Sequence, residues 1–107
     1  MNLGVYISSF YEERLIVPCI SEVLKVFPQV ELIDLGSEDK TLSRVRQHFN
    51  IPIHKYKDIS GAEWTVLKNE YASKHDWVFW IDGDEIYDQE NLIILRDKIN
   101  SRKYNAS

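Results

Sequence analysis

Five consecutive apolar residues, Trp77–Ile81 (WVFWI), stand between Asp76 and Asp82. A run this short, bounded by polar residues, has the pattern of a strand buried on both faces. Such a strand needs covering layers on each side, so the chain must supply helices to both faces of a parallel sheet. Its patterning supplies them.

Leu3–Phe10 (LGVYISSF) is a β-branched and aromatic run and reads as a first strand. In Glu12–Phe27, Leu15, Cys19 and Val23 recur four apart, as do Ile16, Ile20 and Leu24, which makes an amphipathic helix. A proline deep in a helix costs roughly 3 kcal/mol, so regular helix is expected from near Val17 with Pro18 in its first turn. Val30–Asp34 is a second strand, and Gly36 turns the chain. Ser37 is the expected N-cap of a helix running to about Phe49, with Glu38 and Asp39 placed to favour its dipole. Ile53–Tyr56 is a short third strand, and after a loop at Ser60–Gly61 the residues Trp64, Leu67 and Tyr71 mark a third helix. Asp88 caps a last helix carrying Leu92, Leu95 and Ile99. The alternation βαβαβαβα specifies an α/β, Rossmann-like fold: about four parallel strands with right-handed crossovers. At 107 residues the expectation is a single domain, 1–107.

Composition removes several classes of function. Thirteen basic and 17 acidic residues leave a net charge of −4, with no clustered basic face for a nucleic acid. The lone Cys19 cannot form an internal disulfide, which fits a reducing compartment. No apolar run approaches the roughly 18 residues of a membrane span. The N-terminus also lacks the basic and apolar regions of a signal peptide. A cytoplasmic location is the resulting expectation.

Ligands of open parallel sheets bind beyond the carboxyl ends of the strands. Three polar segments follow strands here: Ser8–Glu13, Asp34–Thr41 and Asp82–Glu85. The last is the most informative. Close carboxylates repel, and a divalent cation shared with a phosphate relieves that repulsion. Gly83 removes a side chain where a ligand approaches. The plain alternative is a solvated acidic turn before a capped helix. An EF-hand calcium loop fits poorly, because Tyr87 stands where that loop needs glycine. A haloacid-dehalogenase phosphatase carries its DxD on the first strand, not the fourth. His48, His54 and His75 are scattered and read as surface or strand-end residues. Cys19, Trp64, Trp77 and Trp80 read as core, and Ser37, Asp39 and Thr41 as capping and turn residues.

Taken in order, these segments resemble the nucleotide-binding half of family 2 glycosyltransferases, which have the GT-A fold. Ser9-Phe10-Tyr11-Glu12-Glu13 stands in the place of that family's T-Y-N-E-E. Asp34-Leu35-Gly36-Ser37-Glu38-Asp39-Lys40-Thr41 matches D-D-G-S-x-D-x-T except at Leu35, and Asp82-Gly83-Asp84 matches D-x-D. Gly61–Asn69 is similar to G-x-x-x-A-R-N, with Lys68 for the arginine. The resemblance implies a site for a nucleoside diphosphate sugar, a UDP-hexose. Ser8, Phe10 and Glu12 would lie along base and ribose, with Asp34 in the same pocket. Lys68 would face the base or diphosphate, as a point charge without the arginine's fork. Asp82 and Gly83 would border the ribose, and Asp82 and Asp84 would hold Mn²⁺ or Mg²⁺.

Two substitutions and the length set this chain apart. Leu35 removes a polar contact to the base, and Tyr11 replaces the usual asparagine. Family members also continue well past 107 residues, and their later half supplies the acceptor site and the general base. Glu85 is the nearest remaining candidate for that base. The implied function is a metal-dependent glycosyltransferase with marked donor hydrolysis and an unknown acceptor; the alternative is a nucleotide-sugar-binding module without transfer. Homo-oligomers are also expected, since four parallel strands leave an open edge.

Overall fold

A computed structural model describes residues 3–105. Its elements are β1 (Leu3–Ser9), α1 (Ile16–Leu24), β2 (Glu31–Asp34), α2 (Thr41–His48), β3 (Ile53–Lys55), α3 (Gly61–Ala72), β4 (Trp77–Asp82) and α4 (Gln89–Asn105). The four strands form one parallel sheet in the order β3-β2-β1-β4. This is the α/β, Rossmann-like arrangement that the alternation predicts.

The order records two opposite steps. From β1 the chain steps through β2 to β3 on one side, then crosses back to lay β4 on the other side of β1. The strand order therefore reverses between β1 and β4, and the crevice beyond their carboxyl ends is where such a sheet accepts ligands.

Side-chain alternation along the strands sorts the core into two clusters. On one face Val5, Ile7, Leu32 and Ile81 pack with Ile16, Ile20 and Val23 of α1, Val45 of α2 and Leu92 of α4. On the other face Tyr6 and Ile33 pack with Tyr71, Trp64 and Leu67 of α3, joined by Val78 and Trp80. Three helices thus cover one face and α3 covers the other.

Strand β4 corrects an expectation. Trp77–Trp80 are half-buried and not enclosed, because β4 lies at the edge of the sheet among the described residues. Its apolar run answers helices on both faces, while its outer flank has no strand beside it. The deeply buried strand is β1, where Val5, Tyr6 and Ile7 are almost wholly covered.

Helix starts also differ in detail. Helix α1 begins at Ile16, one residue before the expected start, and Pro18 falls in its first turn, where a missing N–H removes no helical bond. Helix α2 begins at Thr41 and not after Ser37, because Ser37 is drawn into a different task described below. The Asp39 carboxylate instead accepts from the Thr41 N–H at 3.0 Å and from its hydroxyl at 2.5 Å. Asp88 does head α4, accepting from the Glu90 N–H at 3.0 Å. Helix α3 opens with a capping box, Ser60 and Glu63 each bonding the other's backbone N–H.

Candidate functional site

Ser8 and Asp82 are register partners at the carboxyl ends of β1 and β4. The Ser8 hydroxyl donates to Asp82 Oδ1 at 3.4 Å. One residue on, the Gly83 N–H donates to the Ser8 carbonyl at 2.8 Å and carries the ladder past the strand end. A Cβ on Gly83 would stand 2.9 Å from that carbonyl oxygen and 3.1 Å from Ile16 Cδ1. The space beside Gly83 thereby has an occupant within the chain itself. The chain's own backbone fills it.

Pinned there, the segment turns sharply, the Glu85 N–H bonding back to the Asp82 carbonyl at 3.0 Å. The turn exposes Asp82, Asp84 and Glu85, each with one carboxylate oxygen within 4.8 Å of the others. All are hard oxygen donors, the set that suits Mg²⁺ or Mn²⁺ over softer metals. Their field reaches neighbouring groups. Burial, then the charges of Asp84, Asp39 and Asp82, raises the Glu12 carboxyl above its ordinary range. Beneath the turn, Cys19 Sγ lies 3.8 Å from the Asp82 carbonyl. Burial and then Glu85, Asp84, Glu12 and Asp82 push its thiol up to about 12, so it serves as packing and not as a nucleophile.

Lys68 lies across the other face of the sheet. Its ammonium sits 5.6 Å from the Trp64 ring centre and 5.4 Å from that of Trp80, within cation–π range of both. The two indoles meet edge to face at 5.7 Å. Trp80 and Asp82 are two apart on β4, so the lysine shares a sheet face with Asp82 and Ser8.

Asp34 ends β2 and is 1% exposed. Its Oδ1 accepts from the hydroxyls of Ser9 (2.8 Å) and Ser37 (2.6 Å). Its Oδ2 accepts from the backbone N–H groups of Gly36 (3.1 Å) and Ser37 (2.8 Å). Four donors saturate this carboxylate, and they explain why Ser37 does not cap α2. Gly36 makes the turn at φ +112°, a conformation natural only to glycine. Thr41 in turn accepts the Glu12 N–H at 2.9 Å, tying the loop after β1 to the start of α2.

Comparison with known proteins finds distant relatives of this chain. No family model matches the chain. It is 25% identical over 118 aligned positions to a protein of Mycoplasma genitalium described as an uncharacterized glycosyltransferase, a match covering 99% of this chain and 40% of that one. It is 30% identical over 86 positions to the SPbeta prophage-derived glycosyltransferase SunS of Bacillus subtilis, covering 77% of this chain and 20% of the relative. The chain is a distant relative of glycosyltransferases. It spans well under half the length of these relatives.

Set against that kinship, the structure brings Ser8, Glu12, Asp82, Gly83, Asp84 and Glu85 to one crevice. Asp34 stands apart, buried in its turn, and Phe10 is on the rim at 53% exposure. Glu85, the sequence's candidate for a base, stands with Asp82 and Asp84 in the acidic cluster; its place directly after Asp84 in the short segment Asp82–Glu85 is the signal for that. Lys55 and Lys57 line a cleft of about 320 Å³ with Asp34, Ser37 and Glu38, a placement that no sequence motif signals. Only the strand order brings the end of β3 to that corner. No described helix is long and apolar enough to cross a membrane.

Proposed function

We propose that this chain is the donor-binding part of a GT-A-type glycosyltransferase of the family 2 kind, taking a nucleoside diphosphate sugar, a UDP-hexose, with Mn²⁺ or Mg²⁺. The observation that carries the reading is the cluster Asp82, Asp84 and Glu85 at the reversal of strand order, in a distant relative of glycosyltransferases. When bound, a divalent cation supplies charge neutralisation to a departing diphosphate. Asp82 and Asp84 would hold it, and Glu85 would be a third carboxylate towards it, leaving Glu85 unsuited to act as a free base. Ser8 orients Asp82 through its hydroxyl, and Gly83 fixes the height of the turn against β1. Lys68, held against two indoles, would face the donor's negative charge on the α3 side. An acceptor hydroxyl, or water, would attack the anomeric carbon.

Calorimetry of UDP binding with and without Mn²⁺, repeated on Asp84→Ala, tests the site. Binding should require the metal, and the variant should lose more than the roughly 10–100-fold typical of an outer-shell partner. Equal affinity in all three titrations would end the assignment. Release of hexose from UDP-sugars is the second measurement; metal-dependent binding without release indicates a binding module.

A further inference from the structure

Helix α4 buries one side and leaves an apolar patch on the other. Leu92 and Ile99 are almost wholly covered, and Leu92 joins the core beside β1 and α1. Ile93 and Ile94, by contrast, are 39% and 49% exposed. At 3.6 residues per turn, Ile94 lies roughly 160° around the helix from Leu92. A surface helix ordinarily carries polar residues on that side.

Charge is arranged in order about the patch. Glu90, Ile94 and Lys98 recur four apart and are all exposed, so they form one stripe along the outer side of α4. From the start of the helix the stripe reads acid, apolar, base. Among the described residues neither Glu90 nor Lys98 is engaged in an ion pair, whereas the neighbouring Asp97 takes Arg96 at 3.4 Å. Lys98 also lines a groove of about 290 Å³ with Leu95, Trp77, Val78 and Phe79. The patch therefore continues onto the flank of β4 that has no strand beside it among the described residues.

Such a stripe is complementary to itself when reversed. Two copies of α4 laid antiparallel bring Ile94 against Ile94 on a twofold axis. Each Glu90 then faces the Lys98 of the other copy, so two opposite-charge pairs flank the apolar centre. The two helix dipoles also oppose each other. A parallel arrangement would set like charges face to face.

We propose that the outer side of α4 is an interaction surface for a second copy of this chain, docked antiparallel about Ile94. The proposal is independent of the donor site. A contact one helix long is small, below about 1,200 Å², so the dimer should form at roughly micromolar concentration and exchange with monomer.

Sedimentation equilibrium over a concentration series tests this on the unaltered chain, Ile94→Gln, Glu90→Lys, Lys98→Glu and the double swap Glu90→Lys/Lys98→Glu. Urea unfolding of each checks the fold, which these exposed positions should leave intact. The unaltered chain should show a monomer–dimer equilibrium. Ile94→Gln should weaken it roughly tenfold, as should either single charge change, because each sets two like-charge pairs across the axis. The double swap rebuilds both opposite-charge pairs and should restore the dimer. A chain that stays monomeric overturns the proposal, as does a dimer indifferent to Ile94→Gln, whose contact must lie elsewhere. Assembly beyond a dimer overturns it too, since a twofold contact closes on itself. A double swap as weak as the single changes refutes the antiparallel pairing.

Discussion

Replacing Asp34 should damage the protein far more through its fold than through a ligand contact. In Asp34→Ala the Ser9 and Ser37 hydroxyls can rotate to new partners, but the Gly36 and Ser37 N–H groups still point at the vacated space. Each orphaned donor costs about 1–3 kcal/mol, so the loss should be about 4 kcal/mol. Domains of this size are stable by only about 5–15 kcal/mol, which makes that a large fraction. Asp34→Asn is the informative control. Its carbonyl can take the two backbone donors while its NH₂ donates to the two hydroxyls, which can also accept. Only charge assistance is lost, about 1–2 kcal/mol. Urea unfolding followed by tryptophan fluorescence measures both variants, with a common slope securing the comparison. An alanine variant within about 1 kcal/mol of the parent, or an asparagine variant as damaged as the alanine one, would refute the reasoning. If Asp34→Asn folds yet loses UDP, the carboxylate touches the nucleotide after all.

Three other expectations follow from contacts already described. Gly83→Ala places a methyl group 2.9 Å from the Ser8 carbonyl and should cost about 1–3 kcal/mol, lowering Tm by about 4–8 °C per kcal/mol; an unchanged Tm would show that β1 and β4 part freely. Because the folded state raises the Glu12 carboxyl, it binds that proton more tightly than the unfolded chain, so ionised Glu12 weakens the fold above the carboxylate range. Glu12→Gln should therefore melt higher than the parent at pH 7, and the gap should close as acid protonates Glu12 in both states; a parent that melts higher at pH 7 contradicts the field described. Ser60→Ala removes half of the α3 capping box and should cost about 1 kcal/mol in urea unfolding, with a negligible change counting against the cap.

Element order was legible because hydrophobic period and strand–helix alternation are local properties. Strand order was not, since it depends on which way each crossover swings, and so the most apolar strand, whose pattern reads as buried on both faces, is half-buried at the sheet edge. The acidic turn was readable from Asp82 and Asp84 alone. The need for Gly83 was readable too, but its cause is a carbonyl 75 positions away along the chain. Ser37 looked like a helix cap because Ser-Glu-Asp is a common helix opening; Asp34 competes for that hydroxyl and wins. The left-handed backbone of Tyr11, at φ 55°, left no mark in the sequence, since a tyrosine after a phenylalanine is ordinary until its N–H bonds the Ser37 hydroxyl at 2.9 Å.

The pairing of β1 with β4 also sets the order in which the molecule can assemble. Ser8 and Asp82 are 74 residues apart, so their contact closes most of the chain into a loop. During N-to-C synthesis β1 is made first and can recruit β2 early, while its other flank waits for β4. Non-local parallel pairing of this kind is slow, because loop-closure entropy is paid before the contacts repay it. Until β4 docks, the Ser8 carbonyl has no Gly83 to meet and the carboxylates of the acidic turn have no fixed spacing. The crevice is therefore among the last features of this fold to form, and a nascent chain cannot present the acidic cluster until Asp82–Glu85 has left the ribosome.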